Sequence, residues 1–234
     1  MRRLPPACLS LLLASTMFLA ACASAPVATT IECPPRTADP RTPEDLWTEY
    51  IEGNGVFVGG DVHYTGLAAV REETKKQQRP PVSILSCADS RVMPEVTFER
   101  TIGELFVVRV AGNVAPVLDV ASLEFAVANG WTTLLVVMGH ADCGAIKAAL
   151  ATGEPGTPAL RALVAQIRPA LTGFPRTDNP DEDPLRRATE ANVQYVAAQL
   201  TRSSELLAKC VAAKQLTIYK AYYDTASGRV VRLP

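Results

Sequence analysis

Histidine is scarce in this chain, which carries only His63 and His140 among 234 residues. Imidazole chemistry is therefore confined to two positions. There is no basic surplus, with 23 Lys and Arg against 24 Asp and Glu. Nucleic-acid binding, which draws its affinity from neutralised phosphates, has no electrostatic footing. Beyond the N-terminus no apolar run is long enough to cross a bilayer, which excludes a helical membrane domain. No internal repeat is visible, which excludes a solenoid. Charged residues are 20% against 48% apolar, so a disordered or fibrous chain is excluded as well. What remains is one ordinary globular domain with a substantial core.

The first residues read as a targeting segment. Arg2 and Arg3 precede a short apolar run from Leu9 to Ala21, and small residues follow. Leu19-Ala20-Ala21-Cys22 resembles the bacterial lipobox, with cleavage before Cys22 and lipid on its sulfur. Ordinary secretion with cleavage near Ala23 or Ala25 is the alternative. The expected organisation is a signal peptide over 1–21, a Pro- and Ala-rich tether over 22–45 and a catalytic domain over 46–234. The expected location is the periplasm, on a lipid anchor. By resemblance to lipoprotein sorting, the absence of Asp after Cys22 points to the outer membrane if the cell is Gram-negative. Of six cysteines, Cys8 leaves with the signal and Cys22 takes lipid. Cys33 and Cys210 are left over, and the sequence leaves open whether they form a disulfide or stay as two thiols.

Thr42-Pro43-Glu44-Asp45 has the chemistry of a helix start, with a capping hydroxyl, Pro in the first turn and acids near the positive end. The pattern predicts a helix to about Glu52, a Gly-rich turn from Gly53 to Gly60, and a second helix from Gly66 to Gln77. Val82–Ser86, Leu105–Val110 and Thr133–Met138 read as buried strands separated by helical stretches, notably Ala121–Asn129. Near-continuous apolar strands alternating with helices predict an α/β fold whose mainly parallel sheet is flanked by helices. Further helices are expected over Pro158–Leu171, Thr189–Leu200 and Ser204–Ala213. Leu216–Tyr223 and Arg229–Leu233, joined by a turn, predict an antiparallel hairpin at the C-terminal edge.

Two motifs follow the first and third strands: Cys87-Ala88-Asp89-Ser90-Arg91 and His140-Ala141-Asp142-Cys143. Ligand sites in such sheets lie beyond the carboxyl ends of the strands, so the two motifs are expected to share a site. Two thiolates and an imidazole are three ligands for zinc, whose catalytic sites keep a fourth position open. Asp89 is suited to orient a metal-bound hydroxide, and Arg91 to hold Asp89 off the metal through a bidentate pair. If that pair breaks, Asp89 becomes the fourth ligand and closes the site. A purely structural zinc site, a metal-free packing of two cysteines and a histidine, and a Cys–His nucleophile pair are the competing readings. Asp142 reads as a solvated or capping side chain, and His63 as a surface residue or, less simply, a proton shuttle.

Cys-x-Asp-Ser-Arg followed some fifty residues later by Gly-His-x-x-Cys-Gly-Ala resembles the β-class carbonic anhydrases. Arg91-Val92-Met93-Pro94-Glu95, Leu105 to Asn113 and Ala221-Tyr222-Tyr223-Asp224 extend the resemblance. It implies Cys87, His140 and Cys143 as ligands of one Zn²⁺ per subunit and Asp89–Arg91 as the catalytic dyad. It also implies Gln78, Phe106 and Gly144 as the substrate-binding set. The implied reaction is reversible hydration of CO₂ to bicarbonate and a proton, in a homodimer or larger even oligomer. Hydrolysis of COS or CS₂ by relatives of this fold is the neighbouring alternative. The signal and lipobox are additions to the family's core. Val56-Phe57 and Lys220 depart from its pattern in scaffold positions.

Overall fold

A computed structural model describes residues 31–35, 39–173 and 183–234. The expected signal peptide, Cys8 and the expected lipidation site Cys22 lie outside the described residues. Five strands form one sheet: β1 (Val82–Ser86), β2 (Leu105–Arg109), β3 (Leu134–His140), β4 (Thr217–Tyr223) and β5 (Val230–Arg232). The order is β2-β1-β3-β4-β5. The first four are mutually parallel and β5 pairs antiparallel with β4, as the alternating pattern and the closing hairpin predict.

The described residues also form eight α-helices: α1 (Pro43–Gly59), α2 (Leu67–Thr74), α3 (Pro94–Thr97), α4 (Val117–Ala128), α5 (Gly144–Leu150), α6 (Pro158–Ile167), α7 (Pro184–Ser203) and α8 (Glu205–Ala212). Side chains alternate between the two faces along each strand. Ile84, Leu134, Val136 and Met138 pack with Leu46, Trp47 and Tyr50 of α1. Leu85, Leu135 and Val137 pack on the other face with Leu123, Val127, Val196 and Leu207 of α4, α7 and α8. Burial on both faces is why these strands read as unbroken apolar runs.

The expected end of α1 near Glu52 is corrected. The helix continues through Gly53, Asn54 and Gly55 to Gly59. A Cβ on residue 53 would collide with the Phe98 carbonyl, so glycine is required for close packing, not for a turn. Asn54 is buried and donates to Thr97 O at 3.0 Å and Gly228 O at 2.8 Å, and it accepts from Val230 N–H at 2.9 Å. Tertiary contacts thus override the low helix propensity of the segment.

Cys33 and Cys210 are joined in a disulfide across 177 positions of sequence. The bond ties the segment before α1 to α8. Lys209 Nζ, next to Cys210, also donates to Ile31 O at 2.8 Å. The start of the described chain is therefore fastened to the body of the protein well before residue 46. Among the described residues no helix is long and apolar enough to cross a membrane.

Candidate metal centre

β1 and β3 lie side by side in the sheet, and the chain leaves both at their carboxyl ends, where the strand order reverses. Cys87 is the first residue after β1. His140 is the last residue of β3, held in register opposite Tyr223. The chain then turns back through Ala141, whose N–H bonds Tyr223 O at 2.8 Å, and through Asp142 in the left-handed region at φ 58°. Asp is among the residues that tolerate that conformation. The turn delivers Cys143 as the cap residue of α5.

All three side chains are buried, and their ligating atoms lie within 4.8 Å of one another. His140 Nδ1 is 2.8 Å from Ala141 O. A carbonyl only accepts, so Nδ1 carries the proton and Nε2 presents its lone pair. That Nε2 is fully buried and, among the described residues, has no hydrogen-bond partner. A buried acceptor left over between two sulfurs fits a metal ligand, and the donor set S, S, N is that of zinc. The residues present therefore fit the ion that the sequence predicts.

The sulfurs are prepared for this role. Cys87 Sγ accepts from Gly112 N–H at 3.3 Å and Asp89 N–H at 3.4 Å. The Cys87 thiol is pulled down to about 4, chiefly by the Cys143 sulfur beside it, with His140 and the two N–H groups helping against burial. Cys143 is pushed up by its neighbour and by burial, although the N–H groups of Ile146 and Ala145 oppose this. The two sulfurs compete for one proton and titrate as a pair.

Asp89 and Arg91 stand beside the sulfurs. Arg91 Nε and Nη2 donate to the two carboxylate oxygens at 2.9 and 2.8 Å, and its main-chain N–H adds a bond at 3.0 Å. This grip holds the Asp89 carboxyl well below the usual carboxylate range. Asp89 Oδ2 lies 3.9 Å from His140 Nε2. The carboxylate thus faces the space between the ligands while Arg91 holds it from behind.

Other candidates are placed differently. Gly144 opens α5 next to Cys143. Phe106 is in β2, packed against the α4 and α7 side of the core. Gln78 and His63 are exposed on connecting segments. Gln78 precedes β1, the far end of the strand from Cys87, so the two are separated by about 17 Å of strand. Asp142 is exposed as expected but paired: it contacts Lys147, and its Oδ2 is 3.9 Å from Arg91 Nη1. Arg109 has a role that residue-by-residue reading missed. It donates to the carbonyls of Cys87 and Asp89, a link that depends on β2 lying beside β1.

The carbonic anhydrase family profile matches residues 82–230. A carbonic anhydrase of Mycolicibacterium smegmatis is 33% identical over 195 residues, covering 80% of this chain and 92% of that protein. Carbonic anhydrase 2 of Mycobacterium tuberculosis is 34% identical over 203 residues, covering 81% and 92%. Among solved structures, the Coccomyxa β-carbonic anhydrase in complex with acetazolamide superposes with a TM-score of 0.64 at 22% identity, covering 81% of this chain and 82% of that one. One of two tetrameric β-carbonic anhydrases from Sordaria macrospora gives 0.64 at 20%, covering 81% and 97%.

Proposed function

Because the chain belongs to the carbonic anhydrase family and has the β-class fold, we propose that Cys87, His140 and Cys143 hold one zinc ion per chain, with Asp89 and Arg91 as the catalytic dyad. The protein is a carbonic anhydrase, which interconverts CO₂ with bicarbonate and a proton. Zinc, when bound here, acidifies a water and so supplies the oxygen nucleophile. The observation that carries this reading is the partnerless Nε2 of His140 among two sulfurs, with a carboxylate held 3.9 Å away.

The roles of this chain's residues follow from charge and geometry. Two thiolates and a neutral imidazole cancel a divalent charge. The centre is therefore a weaker acidifier of water than an all-histidine site. Asp89 is acceptor-only and accepts the hydrogen bond of the attacking oxygen, fixing its lone pair toward CO₂. Arg91 occupies both carboxylate oxygens and restrains Asp89 from becoming a ligand. Gly144 lies beside Cys143 at the same site. Gln78 and Phe106 serve a site completed by a second copy, since Gln78 lies at the opposite end of β1 from Cys87.

A homodimer or larger even assembly is supported by surface that one chain leaves open. Val117 and Leu118 of α4 are 78% and 77% exposed, Phe125 on the same helix is 53% exposed, and α2 buries no residue. Among the described residues β2 is an edge strand with an unpaired side. Export, with lipid on Cys22, is supported by the N-terminal pattern. The Cys33–Cys210 disulfide adds support for export, because such bonds persist in oxidising compartments.

Stopped-flow CO₂ hydration tests the dyad and the weak acidifier together. Turnover is expected to rise from neutral to alkaline pH, and Asp89→Asn to lower it about a hundredfold. Full activity at neutral pH with a flat profile would contradict the weak-acidifier argument. Unchanged turnover in Asp89→Asn would remove the dyad.

A further inference from the structure

The segment from Cys87 to Asp89 carries both a zinc ligand and the dyad carboxylate, yet it belongs to no helix or strand. Its carbonyls have left the sheet ladder and need other partners. One side chain takes two of them. Arg109, the last residue of β2, stands level with Ser86 in the parallel register. Its Nε donates to Cys87 O at 3.1 Å and its Nη2 to Asp89 O at 2.7 Å, a carbonyl that also accepts from Val92 N–H at 2.9 Å. The fork brackets Ala88 and fixes the main chain on both sides of it. A planar guanidinium offers two donors at a set spacing, which a lysine ammonium cannot copy. The same stretch reaches the segment twice more, through Val110 N–H to Ser86 O at 3.1 Å and Gly112 N–H to Cys87 Sγ at 3.3 Å.

Arg91 therefore holds the Asp89 carboxylate, and Arg109 holds the Asp89 main chain. The carboxylate sits 3.9 Å from His140 Nε2, so a modest rotation of residue 89 carries an oxygen among the ligand atoms. There it would bind the metal instead of orienting the nucleophile. We propose that Arg109 is a positioning residue that holds Asp89 in its orienting role and out of the metal's coordination shell. It acts only through the loop carbonyls. Its side chain is exposed, so substitution removes the clamp without opening the core.

This proposal rests on the zinc and dyad reading above, and one set of proteins separates the two. Arg109→Gln, Arg109→Lys, Asp89→Asn and the double variant Asp89→Asn/Arg109→Gln are compared with the wild-type chain. Zinc content, zinc coordination by X-ray absorption and stopped-flow CO₂ hydration are measured at one alkaline pH, where wild-type turnover is expected to be high. Arg109→Gln is expected to keep its zinc, gain a carboxylate in the coordination shell and lose roughly tenfold to a hundredfold in kcat. Arg109→Lys is expected to fall between Gln and wild type. In the double variant the two losses should not multiply, because both act through one carboxylate. Wild-type kcat and coordination in Arg109→Gln would overturn the proposal. So would multiplying losses, or loss of the zinc itself, which would make Arg109 a support for Cys87 alone. A wild-type chain without zinc or turnover would instead sink the underlying reading.

Discussion

At His140 the two ring nitrogens have different fates. Nδ1 is bound to the next residue's carbonyl, and Nε2 is left facing two sulfurs. The chain has one other histidine, so the whole imidazole chemistry of the site rests on this local contact. Asp89 is the residue whose charge state links the site to pH. Arg91 holds its carboxyl below the ordinary range, so ionised Asp89 favours the folded chain. That contribution is fully present above the unfolded value of about 3.9 and is lost as pH falls through the depressed folded value. Thermal melts between pH 3 and 6 are expected to show wild type losing stability faster on acidification than Asp89→Asn. Parallel curves for the two proteins would contradict the linkage. Because Asp89 stays ionised throughout the neutral range, its titration does not account for an alkaline rise in turnover.

At the scale of elements, the site depends on how closely α7 lies on β3. Gly139 precedes His140, and a Cβ there would be 2.7 Å from Thr189 Cγ2 and from Val193 Cγ2. Gly139→Ala is expected to push α7 outward, cost about 1–3 kcal/mol and weaken zinc binding, because the displaced residue is next to a ligand. Calorimetry with a chelator competition checks both effects, and an unaltered zinc affinity would uncouple the helix from the site. The same scale shows what sequence can reveal. β1 and β3 were legible because strands buried on both faces are apolar almost throughout, and β2, half-buried at the sheet edge, because it too is a short apolar run. The two metal-binding motifs were legible because their chemistry is local and each directly ends a strand. α1 was misjudged because Gly53 and Asn54 are explained by Phe98, Thr97 and Gly228, none of them sequence neighbours. Arg109 was missed as a clamp because its partners are defined only by strand pairing.

At the scale of the whole molecule, the Cys33–Cys210 bond closes a loop of 177 positions, a span across which sequence alone cannot judge proximity. Such a link restricts the unfolded chain strongly, and its loss is expected to cost about 3–5 kcal/mol. Paired Cys33→Ser and Cys210→Ser substitutions should therefore lower the melting temperature by roughly 10 °C while leaving CO₂ hydration in place. An unchanged melting temperature would show that the bond adds no stability. The bond also fastens Cys33, inside the expected 22–45 tether, to α8, on the α4 and α7 side of the sheet. An exported chain of this design would meet its surroundings with the first described residues pinned to the body of the protein.

The most direct measurement is metal analysis of the purified chain alongside its CO₂ hydration rate, with Cys143→Ala as the comparison. One zinc per chain with turnover in wild type, and neither in Cys143→Ala, is the expected result. A chain that hydrates CO₂ without a bound transition metal, or whose Cys143→Ala variant keeps both zinc and turnover, would contradict the assignment of Cys87, His140 and Cys143 as the metal centre.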